Sequence, residues 1–237
     1  MTDEIQPFTG SHIICDNAVL ENEGIIFEGC IFYADRITPD ISALYWVDDG
    51  PTLSSSVPKR VAEFTAGQIC ASRALARQGY SAKVPGRSRR IPVWPAGICG
   101  SISHTDTLAC AIVTASDRWR ALGVDVESVM TPALAHELRH AIVAEGEDDE
   151  PPPTLSQEQF ITLLFSGKEA AFKAINILFP GFIDFREVKI IFDWAQSLFR
   201  IIYCGERKEV MHDVHLLQGL FFWYQDSIIT IVRLPHF

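Results

Sequence analysis

Positive charge is in short supply: 20 Lys and Arg stand against 30 Asp and Glu in 237 residues, a formal charge of −10. A general basic face for nucleic acid is thereby excluded, because counterion release from phosphates needs clustered Lys and Arg. Also missing is any uninterrupted apolar run of the ~18 residues a spanning helix needs. Even the rich stretch from Leu216 to Leu234 is broken by Gln225 and Asp226. The opening Met1-Thr2-Asp3-Glu4 is acidic where a secretory signal would be basic and then apolar. The six cysteines (Cys15, Cys30, Cys70, Cys99, Cys110, Cys204) include no C-x-x-C pair. Reduced, mostly buried thiols in a cytoplasmic protein are therefore expected. What the sequence has is apolar mass: 48% hydrophobic residues can bury a core, and disorder as the dominant state is excluded. The length suits one large domain or two small ones.

Charge and turn residues divide the chain. Lys83-Val-Pro-Gly-Arg87-Ser-Arg89-Arg90 places four cations around a Pro-Gly turn, a loop with a local positive field. Glu145-Gly-Glu147-Asp148-Asp149-Glu150 followed by Pro151-Pro152-Pro153 reads as an exposed connector. Val61, Phe64, Ile69, Ala71 and Leu75 recur at helical spacing, predicting a helix from Lys59 to about Gln78 with Gly79 after its end. Phe160, Leu163, Leu164, Phe165, Phe172 and Ile175 predict a second from about Ser156 to Leu178, stopped by Pro180-Gly181. Thr107 to Thr114, Ala121 to Glu127, Val188 to Phe192, Leu198 to Tyr203, Gly219 to Tyr224 and Ser227 to Val232 read as strands. Each half is thus a long helix followed by strands. The expected class is α+β, with two similar helix-plus-sheet subdomains, residues 1–122 and 123–237, in a pseudo-twofold arrangement.

Three segments carry residues suited to chemistry. In Gly123-Val-Asp125-Val-Glu127 the acids are two apart, so on a strand they share a face opposite Val124 and Val126. Carboxylates that close raise each other's pKa unless a cation sits between them, and their oxygens suit a hard divalent ion; a solvated strand end is the plain alternative. In Phe165-Ser-Gly-Lys168-Glu169-Ala-Ala-Phe-Lys173, Glu169 and Lys173 lie one helical turn apart on one side. Here the plain alternatives are a capping box at Ser166-x-x-Glu169 and an ordinary helix-surface ion pair. Third, Pro92-Val-Trp-Pro-Ala-Gly-Ile-Cys-Gly100-Ser-Ile-Ser103-His104 reads as a Gly/Pro-rich loop leading into a strand. Its glycines permit close approach of a ligand, and Ser103 and His104 could bind an anion such as a phosphate. A tight turn with a surface histidine is the alternative there.

A competing motif lies between them. His136-Glu137-Leu138-Arg139-His140 satisfies H-E-x-x-H, in which histidines one helical turn apart grip zinc while the glutamate activates water. Against it, Val143 and Gly146 stand where the longer metzincin pattern wants Gly and His. A zinc hydrolase would have to recruit another ligand such as Glu158, and a solvated helix before the acidic connector is the plain reading.

Taken in order, G-V-D-V-E, then F-S-G-K-E-A-A-F-K about forty residues on, with P-V-W-P-A-G-I-C-G-S-I-S-H upstream, resemble the 4'-phosphopantetheinyl transferases of the enterobactin-synthase type. The likeness runs from about Lys59 to Lys173. It implies transfer of the phosphopantetheine arm of coenzyme A to a serine of an acyl or peptidyl carrier protein. Adenosine 3',5'-bisphosphate would be released, in siderophore or other nonribosomal peptide or polyketide assembly. By the same resemblance, Asp125, Glu127 and Glu169 are implied as ligands of Mg2+ (or Mn2+), and Glu169 as the base for the serine proton. Lys173 is implied to act on the leaving phosphate, Lys168 to hold nucleotide phosphates, Ser103 and His104 to contact the 3'-phosphate, and Arg90 and Arg60 to add cationic contacts; Lys59 could replace Arg60 in a shifted register. The metal site is expected at the joint of the subdomains, in a monomer with no nucleic-acid partner and no transmembrane segment. Gln68 stands where the family often has Arg, and Gly167 where it often has Ala, the latter costing the helix up to ~1 kcal/mol. A non-catalytic coenzyme A-binding module is the other alternative.

Overall fold

The computed structural model describes residues 9–13, 18–45, 57–80, 85–88, 91–147 and 150–236. The chain divides into two compact units, Met1–Asp117 and Arg118–Phe237. The division falls earlier than the expected 122/123 because the first strand of the second unit already begins at Trp119.

In chain order the first unit contains β1 (Thr9–Ile13), α1 (Ala18–Asn22), β2 (Ile26–Phe32), α2 (Pro39–Leu44) and α3 (Pro58–Arg77). A short hairpin of β3 (Gly86–Ser88) and β4 (Ile91–Val93) follows, then β5 (Ile98–His104) and β6 (Leu108–Ala115). The main sheet runs β1-β2-β6-β5 with every neighbour antiparallel. Pro58 opens α3, where its missing N–H costs nothing. The helix lays a face of small residues, including Ala62, Ala66, Cys70 and Ala71, against Cys30, Phe32, Ala109 and Ala111 of the sheet. The helix spans nearly the residues its periodicity predicts, whereas β1 and β2 were not anticipated. The strand at β5 also starts sooner than expected: Gly100, Ser101 and Ser103 lie within it, and a Cβ on Gly100 would run into the Ile112 carbonyl and the Trp94 ring.

The second unit contains β7 (Trp119–Ser128), α4 (Pro132–Ile142), α5 (Gln157–Leu178), β8 (Val188–Asp193), β9 (Leu198–Tyr203), α6 (Lys208–Val214), β10 (Gln218–Tyr224) and β11 (Ser227–Pro235). Its antiparallel sheet has the order β7-β11-β10-β9-β8. The five strands in this unit agree with the hydrophobic runs read from the sequence. Helix α5 packs across the sheet through Phe160, Leu163, Leu164, Ala170, Ala171 and Ala174, all fully buried. Its cap lies at Ser156, whose Oγ accepts from Gln159 N at 3.3 Å while Gln159 Oε1 accepts from Ser156 N at 2.9 Å. Ser166 is therefore not a cap; it is a buried mid-helix residue with its hydroxyl 2.9 Å from that of Thr230. Among the described residues no helix is long and apolar enough to cross a membrane.

Candidate active site

Strand β7 is fully buried at Val124 and Val126, while Asp125, two residues from Gly123 and from Glu127, lies on the face that meets α5. That contact is close. A Cβ on Gly123 would overlap the Ala170 carbonyl oxygen and come within 3.0 Å of Ala174 N. Ala170 and Ala174 follow Glu169 and Lys173 by one residue each, so the glycine brings the acidic edge of the strand under the charged stripe of the helix.

The second unit thus gathers Asp125, Glu127, Glu169 and Lys173. Lys173 Nζ donates to Asp125 Oδ1 at 2.8 Å and to the Val124 carbonyl at 3.0 Å, with the Asp125 side chain only 4% exposed. Burial pushes the Glu127 carboxyl up to about 8; Asp125 and Glu169 add to the push and Lys173 opposes it. Burial, then the charge of Asp125, also raises Glu169 above the usual carboxylate range, again against Lys173. Three acids lie within reach of one ammonium, and burial with their mutual repulsion favours the protonated forms of Glu127 and Glu169. As a donor set of hard oxygens the cluster fits a divalent ion. In the arrangement seen, Lys173 serves as the cation of the cluster, and among the described residues no three or more His, Cys, Asp or Glu side chains are gathered closely enough to hold a metal ion.

Beside the acids a cleft of about 350 Å³ is lined by Glu169, Phe172, Lys173 and Asn176 of α5 and by Phe182, Ile183 and Phe185 beyond it. Phe182 is 85% exposed. The sequence reading did not single out this aromatic wall; the only hint is the density of Phe after Pro180-Gly181.

Lys168 departs from its expected role. Its ammonium donates to Ile142 O at 2.7 Å, Glu147 Oε2 at 2.6 Å and Phe185 O at 3.0 Å. Both side chains of the ion pair are 0% exposed. All three protons are used inside the unit, which leaves none for a nucleotide phosphate. Glu147 is thereby a buried exception in its acidic stretch, whose Glu145, Gly146 and Glu150 are exposed as a connector's would be.

The remaining expected residues belong to the first unit. Ser103 is buried near the end of β5 and His104 closes the strand, half exposed, with Nδ1 4.0 Å from Glu63 Oε2 on α3. Lys59 is held 2.7 Å from Asp106 Oδ2, whereas Arg60 beside it is exposed on the first turn of α3. Arg90 lies outside the described residues. His136 and His140 are both exposed on α4, and Glu158 does not join them in any metal-holding group among the described residues.

Comparison with known proteins adds independent findings. Residues 49–114 match the family described as 4'-phosphopantetheinyl transferase N-terminal domain, and residues 121–232 match the 4'-phosphopantetheinyl transferase superfamily. Enterobactin synthase component D of Escherichia coli K12 is 36% identical over 145 residues, covering 60% of this chain and 68% of the relative. The Salmonella typhi protein of the same name is 39% identical over 145 residues, with 59% of each chain covered. The 4'-phosphopantetheinyl transferase Npt of Nocardia iowensis is 33% identical over 151 residues, covering 60% of this chain and 63% of that one.

Proposed function

Because this chain belongs to the 4'-phosphopantetheinyl transferase superfamily, we propose that it moves the phosphopantetheine arm of coenzyme A onto a serine of an acyl or peptidyl carrier protein, with Glu169 and Lys173 as catalytic residues. Siderophore or related nonribosomal peptide assembly is the setting that its relatives suggest. The observation that supports the site assignment is the ion pair of Lys173 with Asp125, with Glu127 and Glu169 within electrostatic reach of both.

The reaction makes one bond and breaks one. The serine oxygen attaches to the phosphorus that bears the pantetheine arm, and the P–O bond to the adenosine part breaks, so adenosine 3',5'-bisphosphate departs. Glu169, whose basicity is raised by burial and by the charge of Asp125, is suited to accept the serine proton. Asp125, Glu127 and Glu169 would hold Mg2+ or Mn2+, which when bound supplies charge neutralisation at the diphosphate. Lys173 Nζ, on release from Asp125, is placed one helical turn from Glu169 to donate to the departing phosphate. Ser103, His104 and Arg60, with Arg90, are proposed as contacts for the 3'-phosphate and nucleotide.

Incubation with Mg2+, coenzyme A and a panel of apo carrier proteins should add one arm to at least one of them by mass spectrometry. Absence of any mass gain across the panel overturns the proposal. If the protein bound coenzyme A equally well with and without Glu169→Gln but transferred nothing in either form, a non-catalytic binding module would replace it.

A further inference from the structure

The buried pair behind the catalytic stripe has a task that no substrate contact explains. Lys168 precedes Glu169 on α5, yet its side chain points the opposite way, into the interior, and its ammonium is saturated by Ile142 O, Glu147 Oε2 and Phe185 O. Glu147 is equally committed: Oε2 also accepts from Ala144 N at 2.9 Å and Oε1 from Ile190 N at 2.6 Å. Two charges therefore tie together the end of α4, the middle of α5, the 3-10 turn at Phe185–Glu187 and the start of β8. Burying such a pair costs desolvation free energy that an apolar pair would avoid, so its presence is weak evidence for stability and better evidence for fixed geometry.

What the geometry fixes is one wall of the cleft. Phe185, whose carbonyl Lys168 holds, sets its ring centroid 5.1 Å from that of Phe172 and 5.3 Å from that of Phe165. The turn is itself stiff, because Asp184 Oδ1 accepts from Arg186 N at 2.9 Å and Glu187 Oε2 accepts from Asp184 N at 2.8 Å. The turn is tied to the Lys168 ammonium through the Phe185 carbonyl. Phe172 and Phe185 line the same cleft as Glu169 and Lys173.

We propose that Lys168 and Glu147 are positioning residues for the transfer reaction: their buried ion pair fixes the rotation of α5 at Glu169 and holds the 182–187 wall at its place across the cleft. The proposal rests on the transferase reading above. Neither residue touches a phosphate in it. Group transfer is sensitive to misplacement of about 1 Å, on the order of a hundredfold in rate, so slackness at the wall reads out in turnover rather than in nucleotide affinity.

The test uses the full chain with Lys168→Met, Glu147→Gln and the double variant, assayed well below their melting temperatures. Amide hydrogen exchange at residues 182–187 should speed up about tenfold or more in each single variant. The kcat should fall about ten- to a hundredfold with KM for coenzyme A within about twofold. The double variant should lose no more kcat than either single one, since both remove the same tie. If a single variant does not fold, the double variant, which leaves no buried charge unpaired, carries the comparison. A tenfold rise in KM for coenzyme A in Lys168→Met that Glu147→Gln lacks would make Lys168 a phosphate contact and overturn the proposal. Unchanged exchange, or unchanged kcat in a folded variant, would overturn it too. Lack of transfer by the unmodified enzyme on every carrier would defeat the functional reading instead, and the exchange comparison would still decide whether the pair holds the wall.

Discussion

Gly123 lies directly beneath the Ala170 carbonyl, with no room between them for a methyl group. The strand acids and the helix charges face each other because that one side chain is absent. Gly123→Ala should push α5 away from β7 and cost stability, about 1–3 kcal/mol or more since the obstacle is backbone. The urea midpoint and the initial rate of carrier modification should both fall. An unchanged midpoint would mean that the helix has slack the structure does not show.

Glu169→Gln keeps the shape of the side chain and removes its capacity to take a proton. Carrier modification should drop about a hundredfold or more, while coenzyme A affinity by calorimetry stays within a few-fold. Equal losses in rate and affinity would assign Glu169 to binding alone.

Lys173 occupies the cation's place in the acid cluster through its 2.8 Å contact with Asp125. Lys173→Met should therefore tighten Mn2+ binding to the protein without coenzyme A, about tenfold or more, even as transfer slows. Weaker or unaltered Mn2+ binding would show that the ion does not enter this cluster.

The raised carboxyl of Glu127 makes a pH prediction with a definite sign. Between its ordinary value of 4.5 and about 8, the folded state holds a proton that the unfolded chain has lost. Stability then falls as pH rises through that window and levels off above it. The groups facing Glu127 are Asp125, Glu169 and Lys173. Urea midpoints at several pH values should decline from acid toward pH 8, and Glu127→Gln should flatten the decline. A flat profile in the unmodified protein would count against the buried acid cluster.

His136 and His140 stand exposed on α4. His136→Ala and His140→Ala should leave transfer within about twofold of the unmodified rate and should leave bound zinc, measured by metal analysis, unchanged. A stoichiometric zinc lost in either variant would revive the hydrolase reading.

How much of this was written visibly in the chain depends on the distance over which each signal acts. α3 and α5 were legible to within a residue or two because their apolar period and the turns at Gly79 and Pro180-Gly181 are local. The alternation in Gly123 to Glu127 likewise disclosed which side the acids share. The strand Ile98–His104 was hidden because Gly100, Ser101 and Ser103 look like loop residues, and the need for glycine at 100 shows only once Trp94 and the Ile112 carbonyl are seen to crowd it. Lys168 was misread for a similar reason. Its acceptors Ile142, Glu147 and Phe185 lie between 17 and 26 positions away, and nothing near Lys168 in the sequence announces them. Gly167, a departure from the family's habit, became intelligible only once Ile190 was seen 2.7 Å from where its Cβ would be.

Glu147 belongs to a run of acids that anyone engineering this protein would mark as a dispensable tether. Its carboxylate instead answers a cation sealed in the interior and two backbone amides besides. Shortening that tether would leave an orphan charge under the residues proposed for chemistry, so harm done to an innocuous-looking loop would surface as a crippled enzyme.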